Sequence, residues 1–128
     1  MIVRNLADVS DTVADVSGAG WRSRRLLVAD DRMGFSLHDT IVAAGADLEL
    51  AYRHHLEACY CVSGSAEITD LATGTEHHIA PGTVYALDQH DRHRLTTRTG
   101  LHLVCVFNPA LRGGETHDDS GSFPAPGG

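Results

Sequence analysis

The sequence predicts an all-β fold, a closed antiparallel barrel of the jelly-roll type with at most one short helix near the N-terminus. Three observations carry this. Strand-like segments dominate the 128 residues. Each is bounded by Gly, Pro, Asp or Asn, at the spacing of a barrel or sandwich. Their apolar residues recur every second position, as a strand with one buried face requires.

The elements follow in order. Residues 7–18 could hold the short helix, cut off by Gly18 and Gly20. Arg24–Ala29 is apolar enough for a strand and stops at Asp30-Asp31. Gly34–Ala43 alternates loosely up to the Ala44-Gly45-Ala46 turn. Asp47–His55 alternates well, with Leu48, Leu50 and Tyr52 on one side. Leu56–Val62 is apolar on both faces except for Glu57. Ala66–Leu71, Thr75–Ile79, Thr83–Leu87, His93–Thr97 and Leu101–Phe107 complete the set. The organisation expected is one domain over residues 1–123, including a C-terminal lid segment at 112–123, then a disordered tail at 124–128.

Composition narrows the function. The net charge is −7, and all ten basic residues are Arg. Such a surface repels nucleic acid and anionic membrane. No apolar run is long enough to span a bilayer, and the N-terminal residues lack the apolar core of a signal peptide. A cytoplasmic protein is expected. Three cysteines without a CxxC pair, Cys59, Cys61 and Cys105, are expected as reduced thiols.

The chemistry concentrates between His54 and His93. Glu57 in so apolar a strand is costly to bury unless paired or metal-bound. His54-His55, Glu57 and Gly64 approximate the first half of the cupin metal motif. HH replaces HxH, and adjacent strand residues face opposite ways, so at most one of the two can point inward. Gly74, Pro81-Gly82 and Tyr85 approximate the second half, with Tyr85 where a His is usual. His93, at the start of the next strand, is favoured over His90 as a further ligand. Parity is compatible with an interior lined by Glu57, Tyr85, His93, Cys105 and Phe107. Nitrogen and oxygen donors admit iron, manganese, zinc or nickel.

Two further stretches bear on binding. In Trp21-Arg22-Ser23-Arg24-Arg25, an Arg could fork onto a substrate carboxylate, and Trp21 could wall the pocket. Glu115 and His117, behind Gly113-Gly114 and ahead of Gly121, suit a lid carrying an acid and a base.

These residues fall into longer blocks. They are Met1-Ile2-Val3-Arg4-Asn5-Leu6, Trp21-x-Ser23-x-Arg25, Met33-Gly34-Phe35-Ser36-x-His38-Asp39-Thr40, His55-Leu56-Glu57-Ala58-x-Tyr60-Cys61, Pro81-Gly82-Thr83-x-Tyr85-Ala86-Leu87-Asp88-x-His90-Asp91-x-His93 and Cys105-Val106-Phe107-Asn108-Pro109. Together with Glu115-x-His117-Asp118, the pattern resembles the ectoine synthase family from residue 1 to about residue 123. The chain departs from that pattern at Ala66, Ala110 and Phe123.

The resemblance implies a cupin barrel, usually a homodimer, that closes N-γ-acetyl-L-2,4-diaminobutyrate to ectoine with loss of water. It implies Fe(2+), or another divalent metal, on Glu57, Tyr85 and His93. It implies pocket roles for Trp21, Ser23, Arg25, Thr40, Cys105 and Phe107, and catalytic roles for Tyr52, Glu115 and His117. The alternatives are a non-catalytic ligand-binding cupin and an iron-dependent cupin dioxygenase.

Overall fold

A computed structural model describes residues 1–126; of the expected disordered tail, residues 124–126 are exposed and irregular, and 127 and 128 lie outside the described residues. Among the described residues ten antiparallel strands form two sheets. They are β1 (Asp15–Gly18), β2 (Trp21–Leu27), β3 (Ser36–Val42), β4 (Asp47–Leu50), β5 (Leu56–Gly64), β6 (Ala66–Asp70), β7 (Glu76–Ile79), β8 (Val84–Leu87), β9 (His93–Thr96) and β10 (Leu101–Asn108). The larger sheet runs β1-β2-β3-β10-β5-β8 and the smaller β4-β9-β6-β7. A single core fills the space between them, built on Cys59, Cys61, Leu95, Leu103, Cys105 and Phe107. The barrel is therefore as the period-two pattern predicts.

Two stretches differ from expectation. The helix within 7–18 shrinks to one turn, α1 (Leu6–Val9). Asn5 caps it, its side chain accepting from the Asp8 amide while the Asp8 carboxylate accepts from the Asn5 amide. Beyond it the chain turns extended. The residues Gly18-Ala19-Gly20 that punctuate a helix instead make the β1–β2 hairpin, with Gly20 at φ 83°.

The strand expected over Asp47–His55 ends at Leu50. His90, itself left-handed, directs Nδ1–H at the carbonyls of Tyr52 (2.9 Å) and His55 (3.1 Å) and folds this loop inward. Tyr52 and His55 are buried as a result, while His54 faces solvent. His90 is thus a clamp on the loop.

The C-terminal segment crosses the mouth of the barrel as a strap. Leu111, Ser122 and Phe123 are buried. The Ala51 amide donates to Gly121 O, and the Arg53 amide to Ser122 Oγ. Gly121 is a docking point: a Cβ there would stand 2.5 Å from Glu49 O.

Candidate active site

Strand register explains why polar groups converge inside. Residues facing each other across β2, β3, β10, β5 and β8 form rungs on one face of the larger sheet. One rung reads Arg25, His38, Cys105, Cys59, Tyr85. The next, two residues along each strand, reads Ser36, Phe107, Glu57, Leu87. On the other side lie Ser23, Thr40, Leu103 and Cys61.

A cavity of about 50 Å³ opens onto these rungs, lined by Trp21, Ser23, His38, Thr40, Tyr52, Glu57, Cys59, Tyr85, Cys105, Phe107, His117 and Phe123 with apolar neighbours. Of the residues expected to bind or act, Trp21, Ser23, Thr40, Tyr52, Glu57, Tyr85, Cys105, Phe107 and His117 line it. Tyr52 joins Leu48 and Leu50 there although its own segment is no strand.

Glu57 is buried, and burial raises its carboxyl to about 7, against hydrogen bonds from the Cys59 and Cys105 thiols. Burial likewise pushes the Tyr52 and Tyr85 hydroxyls well up. His93 enters from the smaller sheet, paired with Leu50 and Asp70. It lines a second groove, which Tyr85 shares. Its Nδ1–H donates to Asp91 O at 2.9 Å, and burial keeps the ring neutral, so Nε2 carries a free lone pair. That is the tautomer a metal-binding His takes.

This donor chemistry suits a divalent cation. The buried Glu57 carboxyl and the half-buried Tyr85 phenol line one cavity, Tyr85 shares the neighbouring groove with the lone-pair-bearing His93, and Glu57 meets thiols where a structural carboxylate would meet Arg. Cys59 and Cys105 also gather around Glu57, with all three donor atoms within 4.8 Å of one another.

Arg25 is placed differently from a free clamp. Its side chain is 1% exposed. Nε–H donates to Ser23 Oγ, and the two terminal nitrogens donate to Gly113 O and Glu115 O, each at 2.9 Å. The guanidinium also sits 5.6 Å from the Phe123 ring centroid. Two of its five N–H groups thus hold the strap to the barrel, and a third ties the side chain to its own strand. We expect Arg25→Lys to loosen the strap by about 1–3 kcal/mol, because an ammonium cannot reproduce the fork. Amide exchange across residues 113–123 should rise; unchanged protection would deny Arg25 the anchoring role.

The polar chain continues from Ser23 to His38 Nδ1 (3.2 Å) and from His38 Nε2 to Ser36 Oγ (3.0 Å), which also accepts from the Leu111 amide (2.9 Å). Arg25 can only donate, so Ser23 accepts from it and keeps one proton and one lone pair with which to pair His38 Nδ1. Sequence reasoning left Ser36 and His38 without a role. Their link to Arg25 arises only from register.

Glu115 does not face the cavity. Its carboxylate accepts from the Arg112 and Gly113 amides (2.8 and 2.9 Å) and shapes the turn where the strap begins. His117 does face it. Nε2 stands 2.8 Å from the Tyr52 hydroxyl, and the ring stacks on Phe123 at 4.3 Å and meets Trp21 edge-on at 4.9 Å. Burial, and then nearby Arg25, lower its pKa to about 4. The neutral ring accepts the Tyr52 proton, which joins strap to barrel.

The sign of the pH effect follows. With the strap open, His117 titrates near its ordinary 6.5; closed, near 4. The open state therefore binds the extra proton between those values. Closure is unaffected above 6.5, weakens as pH falls through that window, and does not weaken further below 4. Exchange protection of residues 116–122 should drop between pH 7 and 4.5 once intrinsic rates are removed. A flat profile would show that His117 does not titrate with opening.

Comparison with known proteins agrees with this interior. A family model described as ectoine synthase matches residues 1–127. An L-ectoine synthase from Desulfosudis oleivorans is 52% identical over 124 residues, covering 96% of each chain. The chain belongs to the ectoine synthase family. The crystal structure of ectoine synthase from P. lautus superposes with a TM-score of 0.84 at 46% identity, covering 88% of this chain and 81% of that one. An RmlC-like cupin from Shewanella frigidimarina shares the fold alone, with a TM-score of 0.60 at 21% identity over 75% of this chain and 82% of its own. The ectoine synthase family is thus built here on a cupin barrel.

Proposed function

We propose that the chain closes N-γ-acetyl-L-2,4-diaminobutyrate to ectoine with loss of water. The observation that carries the reading is a strap bearing His117 closed over a buried polar interior in a chain of this family. The free α-amine attacks the acetamide carbonyl carbon of the same molecule. One C–N bond forms, the carbonyl oxygen leaves as water, and two hydrogens from nitrogen accompany it.

Each demand has a matching group. Confinement between Trp21, Phe107 and Thr40 holds the substrate folded, which supplies much of the rate. Tyr52, kept protonated by burial, can give a proton to the departing oxygen, and neutral His117 behind it can accept one. Phe123 and the strap exclude bulk water, which favours dehydration. Glu57, Tyr85 and His93 are the proposed iron ligands, and a divalent cation held there would supply Lewis-acid polarisation of the carbonyl. The cavity holds only a few waters at about 50 Å³. Entry of the substrate thus calls for opening, which supports a mobile strap over residues 112–123.

The test is product formation. Purified protein with Fe(2+) and the acetylated diamine should yield ectoine without oxygen uptake. Oxygen consumption would favour the dioxygenase, and tight binding without turnover the ligand-binding cupin.

We also propose a homodimer working in the cytoplasm, without nucleic acid or membrane partners. No helix among the described residues is long and apolar enough to cross a membrane. The outer face of the larger sheet exposes Ile41, Leu56, Tyr60, Val62 and Val84. Tyr60 lies directly across from Val84 and Val104, so these make one apolar patch. Tyr60→Glu should halve the mass seen by light scattering; an unchanged mass would move the interface elsewhere.

A further inference from the structure

We infer that Cys59 and Cys105 join Glu57 in a sulfur-containing site for a thiophilic divalent cation such as Zn2+ or Co2+. Register alone brings the two thiols together. Cys59 on β5 lies directly across from Cys105 on β10, and Glu57 follows on the same face of β5. All three are buried, and their donor atoms lie within 4.8 Å of one another. Tetrahedral zinc with a Zn–S length of about 2.3 Å holds its sulfurs about 3.8 Å apart. Side-chain movements of up to about 1 Å therefore close the three donors around an ion.

The donor set sets the preference. Sulfur favours zinc and cobalt over the cations that oxygen and nitrogen donors admit, and two sulfurs with one carboxylate make a softer site than Glu57, Tyr85 and His93. Tyr85 lies across from Cys59 on β8, is hydrogen-bonded to it and lines the same cavity. Binding replaces two S–H bonds with two S–metal bonds and releases both protons to solvent. Cys61 is buried on the same face but directs its thiol at Ser63 O and Gly64 O, outside the cluster. The site needs only the folded barrel and does not rest on the cyclisation reading, with which it shares Glu57.

The test is a titration of the metal-free, full-length protein with Co2+ under reducing conditions. We expect a thiolate-to-cobalt charge-transfer band in the near ultraviolet that saturates at one equivalent. Its intensity should fall to about half in Cys59→Ser and in Cys105→Ser, vanish in the double variant and persist in Cys61→Ser. The wild-type spectrum needs no variant to fold. Bound cobalt without that band would assign the ion to oxygen and nitrogen donors alone and overturn the sulfur site, leaving the cyclisation reading intact. Absence of cobalt binding, or a band that Cys61→Ser removes instead, would overturn it equally.

Discussion

Truncation after Leu111 should leave a folded barrel that still binds metal but has lost cyclisation by about 1,000-fold or more in kcat. The barrel keeps what it needs. Leu111 still donates to Ser36 Oγ and accepts from the Ala29 amide, and the core residues between the sheets remain. Arg25 loses Gly113 O and Glu115 O, yet the same cut opens it to water, so its guanidinium is resolvated rather than orphaned. The reaction should lose more. His117 leaves Tyr52, and the proton-transfer pair proposed for them would be worth about 100- to 10,000-fold. Phe123 leaves its contacts with Tyr52, Phe107 and His117, and the interior floods.

Phe123→Ala provides a check that does not depend on the truncated chain folding. It should undock the strap tip while leaving Arg25 and Glu115 in place. A truncated protein within fivefold of the full chain in kcat, with Phe123→Ala equally active, would leave the strap with no part in catalysis.

Much of this was readable from residues because the barrel obeys one period. Alternation put Glu57, Cys59 and Cys61 on one face of a strand, and the structure buries all three. Where period two gave way to side-chain clamps, the reading failed. Tyr52 was correctly aimed inward, but the strand that would have aimed it ends at Leu50, and His90 holds the loop from the far side of the sequence. The partners of Arg25 are not legible in local composition either. An Arg in a basic run suggests a substrate clamp, whereas its partners are carbonyls 88 and 90 residues away.

The same limit applies to Glu115, whose carboxylate closes its own turn, and to the Ser23–His38–Ser36 chain. Register between distant strands decides such contacts, and no window of sequence contains it. The Cys59–Cys105 pair is the clearest instance. Each thiol was visible, but only the β5–β10 ladder makes them neighbours.

Glu57→Gln should abolish metal retention and cyclisation while making the metal-free protein more stable at alkaline pH. The two halves share one cause. Glu57 is raised to about 7 from 4.5 because burial penalises its charged form. The folded state therefore binds the proton more tightly than the unfolded chain. Stability falls as pH rises from about 4.5 through 7 and then stays at that lower level. Above pH 7 the penalty is on the order of 3 kcal/mol. Gln keeps the shape, still accepts from the thiols and removes the charge, so the penalty disappears.

Urea unfolding of metal-free protein should show Glu57→Gln ahead of wild type by about that amount at pH 8 and by less than about 1 kcal/mol at pH 5. A neutral amide is a far poorer metal ligand than a carboxylate, so bound iron should be lost on gel filtration. Activity would go with it, a trade of stability for function common at buried charged sites. Wild-type iron content in Glu57→Gln would remove the carboxylate from the metal site. Equal stability of the two proteins at pH 8 would show that the buried carboxyl carries no penalty for a cation to relieve.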